Sequence, residues 1–184
     1  MAGSLCGSAF AQNSIQGLLG LGSAVTELKS GAYVMTDANG LAYGFTSVSE
    51  DGVLQEGILD YKATSIADDK KDDVKQYIWK VTVTENLGAY SYKFENVATG
   101  KTLRVNTTAG SEAVELNSAA SGNVIKDVFA FGATQIGTTG KYTASEKALF
   151  AYNGNKSDVF QLKWSAGGSL ISTTASSFDL SFYA

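Results

Sequence analysis

The stretch YIWKVTVTENLGAYSYKFENVATGKTLRV, which runs from Tyr77 to Val105, indicates the fold class of the chain. Its first part alternates between an apolar set, which includes Trp79 and Val81, and a more polar set that includes Lys80. A two-residue period rich in aromatic and β-branched side chains is typical of a half-buried β-strand. We therefore predict a strand from residue 77, with Trp79 packed in the core.

The same stretch continues with two more strands. Glu85 to Gly88 interrupts the first alternation, and a second one follows from Tyr90 to Glu95. Asn96 to Lys101 contains the Asn and Gly residues that adopt positive φ most readily, and a third alternation runs from Thr102 to Val105. The stretch predicts three consecutive strands joined by tight turns.

Composition favours a single all-β domain. Of the 184 residues, 44% are hydrophobic and only 17% are charged, and Gly, Ser, Thr and Ala are abundant. The formal net charge is −4 and Arg104 is the only arginine, so no basic stripe could neutralise the phosphates of a nucleic acid. No apolar run reaches the roughly 18–20 residues that a membrane-spanning helix needs.

Catalytic chemistry is restricted by the residue types that the chain lacks. There is no histidine, and Cys6 is the only cysteine. Ser-His-Asp and Cys-His arrangements and most zinc sites are therefore excluded, and we expect no cofactor and no enzymatic activity. An enzyme that uses carboxylates alone, such as a glycosidase, is the weakest alternative because nothing in the sequence pairs two carboxylates.

The amino end resembles the back half of a secretory signal peptide. Residues 1–11 are small and apolar and end in Ala9-Phe10-Ala11 before Gln12, which predicts cleavage after Ala11 and export. A flexible tail is the alternative interpretation. Residues 12–30 are interpreted as a linker that passes into a first strand at residues 24–28, and residues 31–184 as one domain.

The rest of the chain predicts about a dozen short strands. Asn39-Gly40 is a hairpin signal, and Lys141 to Thr143 is one of the later predicted strands. Three Gly-x-Tyr triplets, at Gly31, Gly88 and Gly140, each open a predicted strand, and their spacing is compatible with three degenerate units. A β-sandwich is the alternative all-β arrangement.

Two family resemblances add to this interpretation. Gln76 to Trp79, followed by the hairpin from Tyr92 to Leu103, resembles the ricin-type β-trefoil lectin signature, although Gln-x-x-Trp is one residue longer than the family's Gln-x-Trp. The opening from Val25 to Tyr33, with the later Trp-Lys-Val-Thr strand and its hairpin, is similar to the amino-terminal region of secreted proteins of gut Bacteroidetes. These resemblances imply β-trefoil-like architecture and export, and they leave function open.

Ligand-binding candidates follow from the lectin resemblance. It implies Asp37 with Asn39, and Asn96, as the groups that would meet a sugar, although all three are also favoured turn residues and the turn interpretation is preferred. Trp164 lies beside a small-residue loop and could stack on a sugar face. No metal site is expected. Interleaved lysines make a solvated segment the preferred interpretation of the acidic run Asp68, Asp69, Asp72, Asp73.

The main functional hypothesis is a secreted, non-enzymatic β module that binds a glycan or another surface partner. The alternative is a structural or assembly component of the bacterial cell surface, because low charge, abundant Thr and Ser and exposed strands suit lateral packing. Both hypotheses involve neither nucleic acid nor a membrane span.

Overall fold

The structure is a computed structural model that describes residues 19–36, 41–48, 54–60, 75–106, 113–117, 125–132, 139–152, 159–165, 168–172 and 179–184. The protein is all-β, as predicted, and every strand pair is antiparallel. The described strands are β1 Gly31–Thr36, β2 Leu41–Val48, β3 Leu54–Asp60, β4 Ile78–Asn86, β5 Ala89–Asn96, β6 Thr102–Asn106, β7 Ala113–Asn117, β8 Ile125–Lys126, β9 Phe129–Phe131, β10 Leu149–Tyr152, β11 Val159–Ser165, β12 Gly168–Ser172 and β13 Ser181–Tyr183.

The longest regular hairpin is β4–β5, in the stretch from which the sequence predicted the fold class. Its register runs from Trp79 opposite Asn96 to Asn86 opposite Ala89. Trp79 and Val81 are buried while Lys80 is exposed, which confirms the two-residue period and the core position of Trp79. Leu87 and Gly88 form the connecting turn, and both have positive φ, at 51° and 79°.

Six strands form a curled sheet in the order β13-β1-β4-β5-β9-β10. The two outer strands of this series approach each other as well, through an isolated bridge between Ala148 and Asp179. The Leu180 N–H also donates to the Lys147 C=O at 3.0 Å. The sheet therefore curls far enough for its first and last strands to make backbone contact.

Three further strand pairs, β2–β3, β6–β7 and β11–β12, are joined to this curled sheet. Each pair follows one strand of the six-strand series in the chain and precedes another, and the short strand β8 pairs with β6. The three pairs also contact one another, because β12 lies against both β7 and β3, and β3 lies against β7.

Aromatic side chains fill the inside of the curled sheet. Phe182 contacts the rings of Phe94, Phe131 and Tyr142, at centroid distances of 6.0, 5.8 and 5.2 Å. Aromatic pairs of this kind add about 0.5–1.5 kcal/mol each beyond the burial of their surface. Because these residues come from β5, β9, β13 and the segment before β10, the core fixes how the distant parts of the chain meet.

Two strand predictions are wrong. Residues 24–28 have no strand conformation; Val25 and Leu28 both pack on the core, and a spacing of three residues does not fit the two-residue period of a strand. Lys141 to Thr143 is also irregular. There the Thr143 Oγ1 accepts hydrogen bonds from the backbone N–H groups of Ser145 and Glu146, and such a local turn competes with strand pairing.

Candidate functional site

Asn96 is the predicted ligand-binding residue whose surroundings the structure shows best. It is fully buried at the end of β5. Its Nδ2 donates to the Gln76 C=O at 2.7 Å, and its Oδ1 accepts from the N–H and the Oγ1 of Thr99, each at 3.2 Å. The side chain therefore joins the start of β4 to the turn after β5, which is the turn role that the sequence favoured.

Trp164 lies in β11, near the point where this strand turns into β12. Its Cα pairs with that of Ser169, and the next pair, Ser165 with Gly168, closes the hairpin. Trp164, which the sequence predicts as a sugar-stacking residue, therefore lies one register step from the last pair of the β11–β12 hairpin. Asp37, Asn39 and the acidic run of residues 68–73 lie outside the described residues.

A charged cluster that the sequence did not predict lies where the segment before β1 meets the segment before β10. The Lys141 Nζ is 2.8 Å from a Glu27 carboxylate oxygen and 5.1 Å from the centroid of the Tyr90 ring. Lys29 is a second, more distant cation beside Glu27, at 3.6 Å. Glu27 and Lys141 are far apart in the sequence, and no local pattern indicates that they meet.

Electrostatics in this cluster stabilise the charged forms of Glu27 and Lys141. The hydrogen bond and charge of Lys141 lower the pKa of Glu27, and the hydrogen bond to Glu27 raises the pKa of Lys141. Both groups are therefore held in their charged forms at neutral pH, whereas a general acid or base works best with a pKa near the working pH. The cluster brings together a carboxylate, an ammonium group and an aromatic ring.

Gly140 positions Lys141 on this surface. Its φ is +68°, and a Cβ added there would lie 2.9 Å from the Tyr90 carbonyl oxygen and 3.0 Å from the Ala130 Cβ. The neighbouring Thr139 C=O accepts the Tyr90 N–H at 2.7 Å. Only glycine allows the backbone to approach β5 this closely, and the approach places Lys141 over the Tyr90 ring.

A second ion pair joins β5 to the segment before β9. The Lys93 Nζ lies 3.1 Å from an Asp127 carboxylate oxygen, and Asp127 is largely buried while Lys93 is half exposed. The pair lies beside the point where β5 and β9 are adjacent, at Tyr92 and Phe129.

An exposed apolar residue stands at the end of the β4–β5 hairpin. Leu87 is 101% exposed, whereas Val97, in the turn after β5, is 45% exposed. Leu87 also has a φ of 51°, in the left-handed region that non-glycine residues seldom adopt. Glu85 lies opposite Tyr90 in the hairpin register, next to this tip.

Among the described residues, no three carboxylates or thiols lie together as a metal site would require, and no helix has the length and apolarity to cross a bilayer. No protein-family model matches the chain, and no curated protein sequence matches it.

Proposed function

We propose that the chain is an exported, non-enzymatic β-trefoil module that binds a glycan or another surface partner. The order of the strands carries the fold part of this proposal. The β-trefoil that the lectin resemblance implies consists of about twelve strands in three similar units. Grouping β1–β4, β5–β9 and β10–β13 gives three such units here, with β8 as an addition to the second.

The bridge between Ala148 and Asp179 supports a closed barrel, because it connects the ends of the six-strand series. The mutual contacts of the β2–β3, β6–β7 and β11–β12 hairpins support their grouping at one end of it. This assignment favours the trefoil over the β-sandwich, in which two separate sheets would face each other.

The binding part of the proposal is supported by the position of Trp164. The backbone of Trp164 lies one register step from the end of the β11–β12 pairing, and aromatic rings supply apolar area that stacks on sugar faces. Asp37 and Asn39 remain the proposed polar partners from the first unit. Because a fold alone does not determine function, the site residues must be tested directly.

A glycan array probed with the labelled protein tests this proposal. We expect binding that is lost in Trp164→Ala and largely kept in Trp164→Phe, because phenylalanine retains an aromatic face. Asp37→Ala with Asn39→Ala tests the polar partners in the same assay. A folded wild-type protein that binds no sugar at millimolar concentration contradicts the glycan proposal.

A structural or assembly role at the cell surface is the second candidate. The exposed Leu87 favours it, because a fully solvated apolar side chain suits a protein contact better than a sugar contact. Light scattering over a concentration series tests self-assembly, which predicts a mass that rises with concentration. A mass that stays that of one chain contradicts it.

A further inference from the structure

We propose that residues 24–30 form a strap that opens and closes independently of the strands, with the Glu27–Lys141 ion pair as its latch. The strap directly precedes β1 and has no strand conformation of its own. Its opening is a conformational step of the fold itself and requires neither a glycan nor a partner protein.

Two hydrogen bonds attach the two ends of the strap to different strands. The Val25 N–H donates to the Phe182 C=O at 2.8 Å, and the Val83 N–H donates to the Ser30 Oγ at 2.9 Å. Phe182 belongs to β13 and Val83 to β4, and both of these strands pair with β1. The strap therefore runs from one neighbour of β1 to the other.

Burial holds the strap less firmly than it holds the strand that follows. Leu28 is the only buried residue among 24–30, all of which the structure describes, whereas the last four residues of β1 are all buried. Val25 is partly buried and packs against the core from the strap. A segment with few buried apolar contacts and few backbone hydrogen bonds opens at a lower free energy than the whole domain unfolds.

The latch joins the middle of the strap to a part of the chain that the core holds in place. Lys141, whose Nζ lies 2.8 Å from Glu27, is followed by Tyr142, which is fully buried and donates its backbone N–H to the Tyr92 Oη at 2.9 Å. Lys29 also lies near Glu27, at 3.6 Å, but it belongs to the strap and cannot join it to the sheet. Loss of the Glu27–Lys141 pair should therefore release the strap and leave the backbone at Lys141 in place.

Native-state hydrogen exchange of the full chain, followed by NMR, tests the proposal. The amides of Val25 and Val83 report on the strap, because each takes part in a hydrogen bond that opening would break. The amides of Leu180, bonded to the Lys147 C=O, and Asn96, bonded to the Lys101 C=O, report on the strands, because neither bond involves the strap.

The latch variants are Glu27→Gln and Lys141→Met, each of which removes one charge of the pair. The matched control is Lys80→Met, because Lys80 forms another exposed ion pair, with Glu95 at 3.8 Å, that does not touch the strap. A double latch variant should exchange no faster than the faster single variant, since both substitutions remove the same contact. Sodium chloride at about 0.5 M should speed exchange of the strap amides in the wild-type protein, because salt screens an exposed ion pair.

We expect the Val25 and Val83 amides of either latch variant to exchange about two- to fivefold faster than in the wild-type protein, the range that an exposed ion pair supports. The Leu180 and Asn96 amides should keep their wild-type rates, and Lys80→Met should change none of the four. Unchanged rates at Val25 and Val83, a response at only one of them, or equal acceleration at Leu180 and Asn96 each overturns the proposal. Additive effects in the double variant overturn the latch as well.

Discussion

Replacing Gly140 by alanine tests the packing that brings Lys141 to Tyr90. The new Cβ would lie 2.9 Å from the Tyr90 carbonyl oxygen and 3.0 Å from the Ala130 Cβ. A left-handed φ costs a non-glycine residue about 1–2 kcal/mol, and overpacking against a fixed neighbour costs about 1–3 kcal/mol more. We therefore expect Gly140→Ala to lower the free energy of unfolding by about 2–5 kcal/mol.

Gly100 provides the matched control for this experiment. Its φ of +65° is close to that of Gly140, but a Cβ added there meets no atom within 4 Å. Gly100→Ala should therefore show only the conformational cost of about 1–2 kcal/mol. Urea unfolding followed by tryptophan fluorescence measures both variants. Equal costs for the two substitutions would refute the close approach of Gly140 to β5.

Three further predictions concern Leu87, Asn96 and Tyr142. Leu87→Asn should raise the free energy of unfolding by about 1 kcal/mol in urea titrations, because asparagine accepts the left-handed conformation; a loss of stability would contradict the strain at this turn. Asn96→Ala should cost about 1–3 kcal/mol by the same assay, since it removes the hydrogen bonds that the fully buried Asn96 side chain makes to backbone groups of Gln76 and Thr99; the absence of a measurable cost would contradict the described bonding. Burial raises the pKa of Tyr142 to about 12 from 10.0, so its hydroxyl ionises in the unfolded chain first and stability should fall as pH rises from 10 to 12. A pKa that differs by about two units between the folded and unfolded states lowers the free energy of unfolding by at most about 2.7 kcal/mol. Solvent screening reduces this loss to about 1–2 kcal/mol. Tyr142→Phe should make this alkaline loss smaller, and an unchanged loss would contradict the assignment.

The sequence predicted what local alternation determines. In β4 and β5 the apolar set faces a core and the polar set faces solvent, so Trp79 and Phe94 could be placed in the core from their spacing alone. The tight turn at Leu87-Gly88 was indicated by its glycine. These features depend on neighbouring residues only, and the structure confirms them.

The remaining features depend on contacts between distant residues. Val25 and Leu28 look like strand residues, yet they pack on the core from an irregular segment whose Val25 N–H bonds to the Phe182 C=O. The Glu27–Lys141 pair depends on how Gly140 packs on β5, which no single segment encodes. The full exposure of Leu87 likewise could not be predicted from the sequence, because it depends on how the rest of the chain packs around the hairpin.

The assignment of three units depends on closure of the six-strand series. NMR spectroscopy of the isotope-labelled protein tests it most directly, through nuclear Overhauser effects between backbone protons of Ala148 and Asp179 and through hydrogen exchange of the Leu180 amide. The cross-strand effect should be present, and the Leu180 N–H, which is bonded to the Lys147 C=O, should be protected from exchange. Absence of the effect together with an amide that exchanges as in an unfolded chain would contradict a closed barrel and, with it, the trefoil assignment.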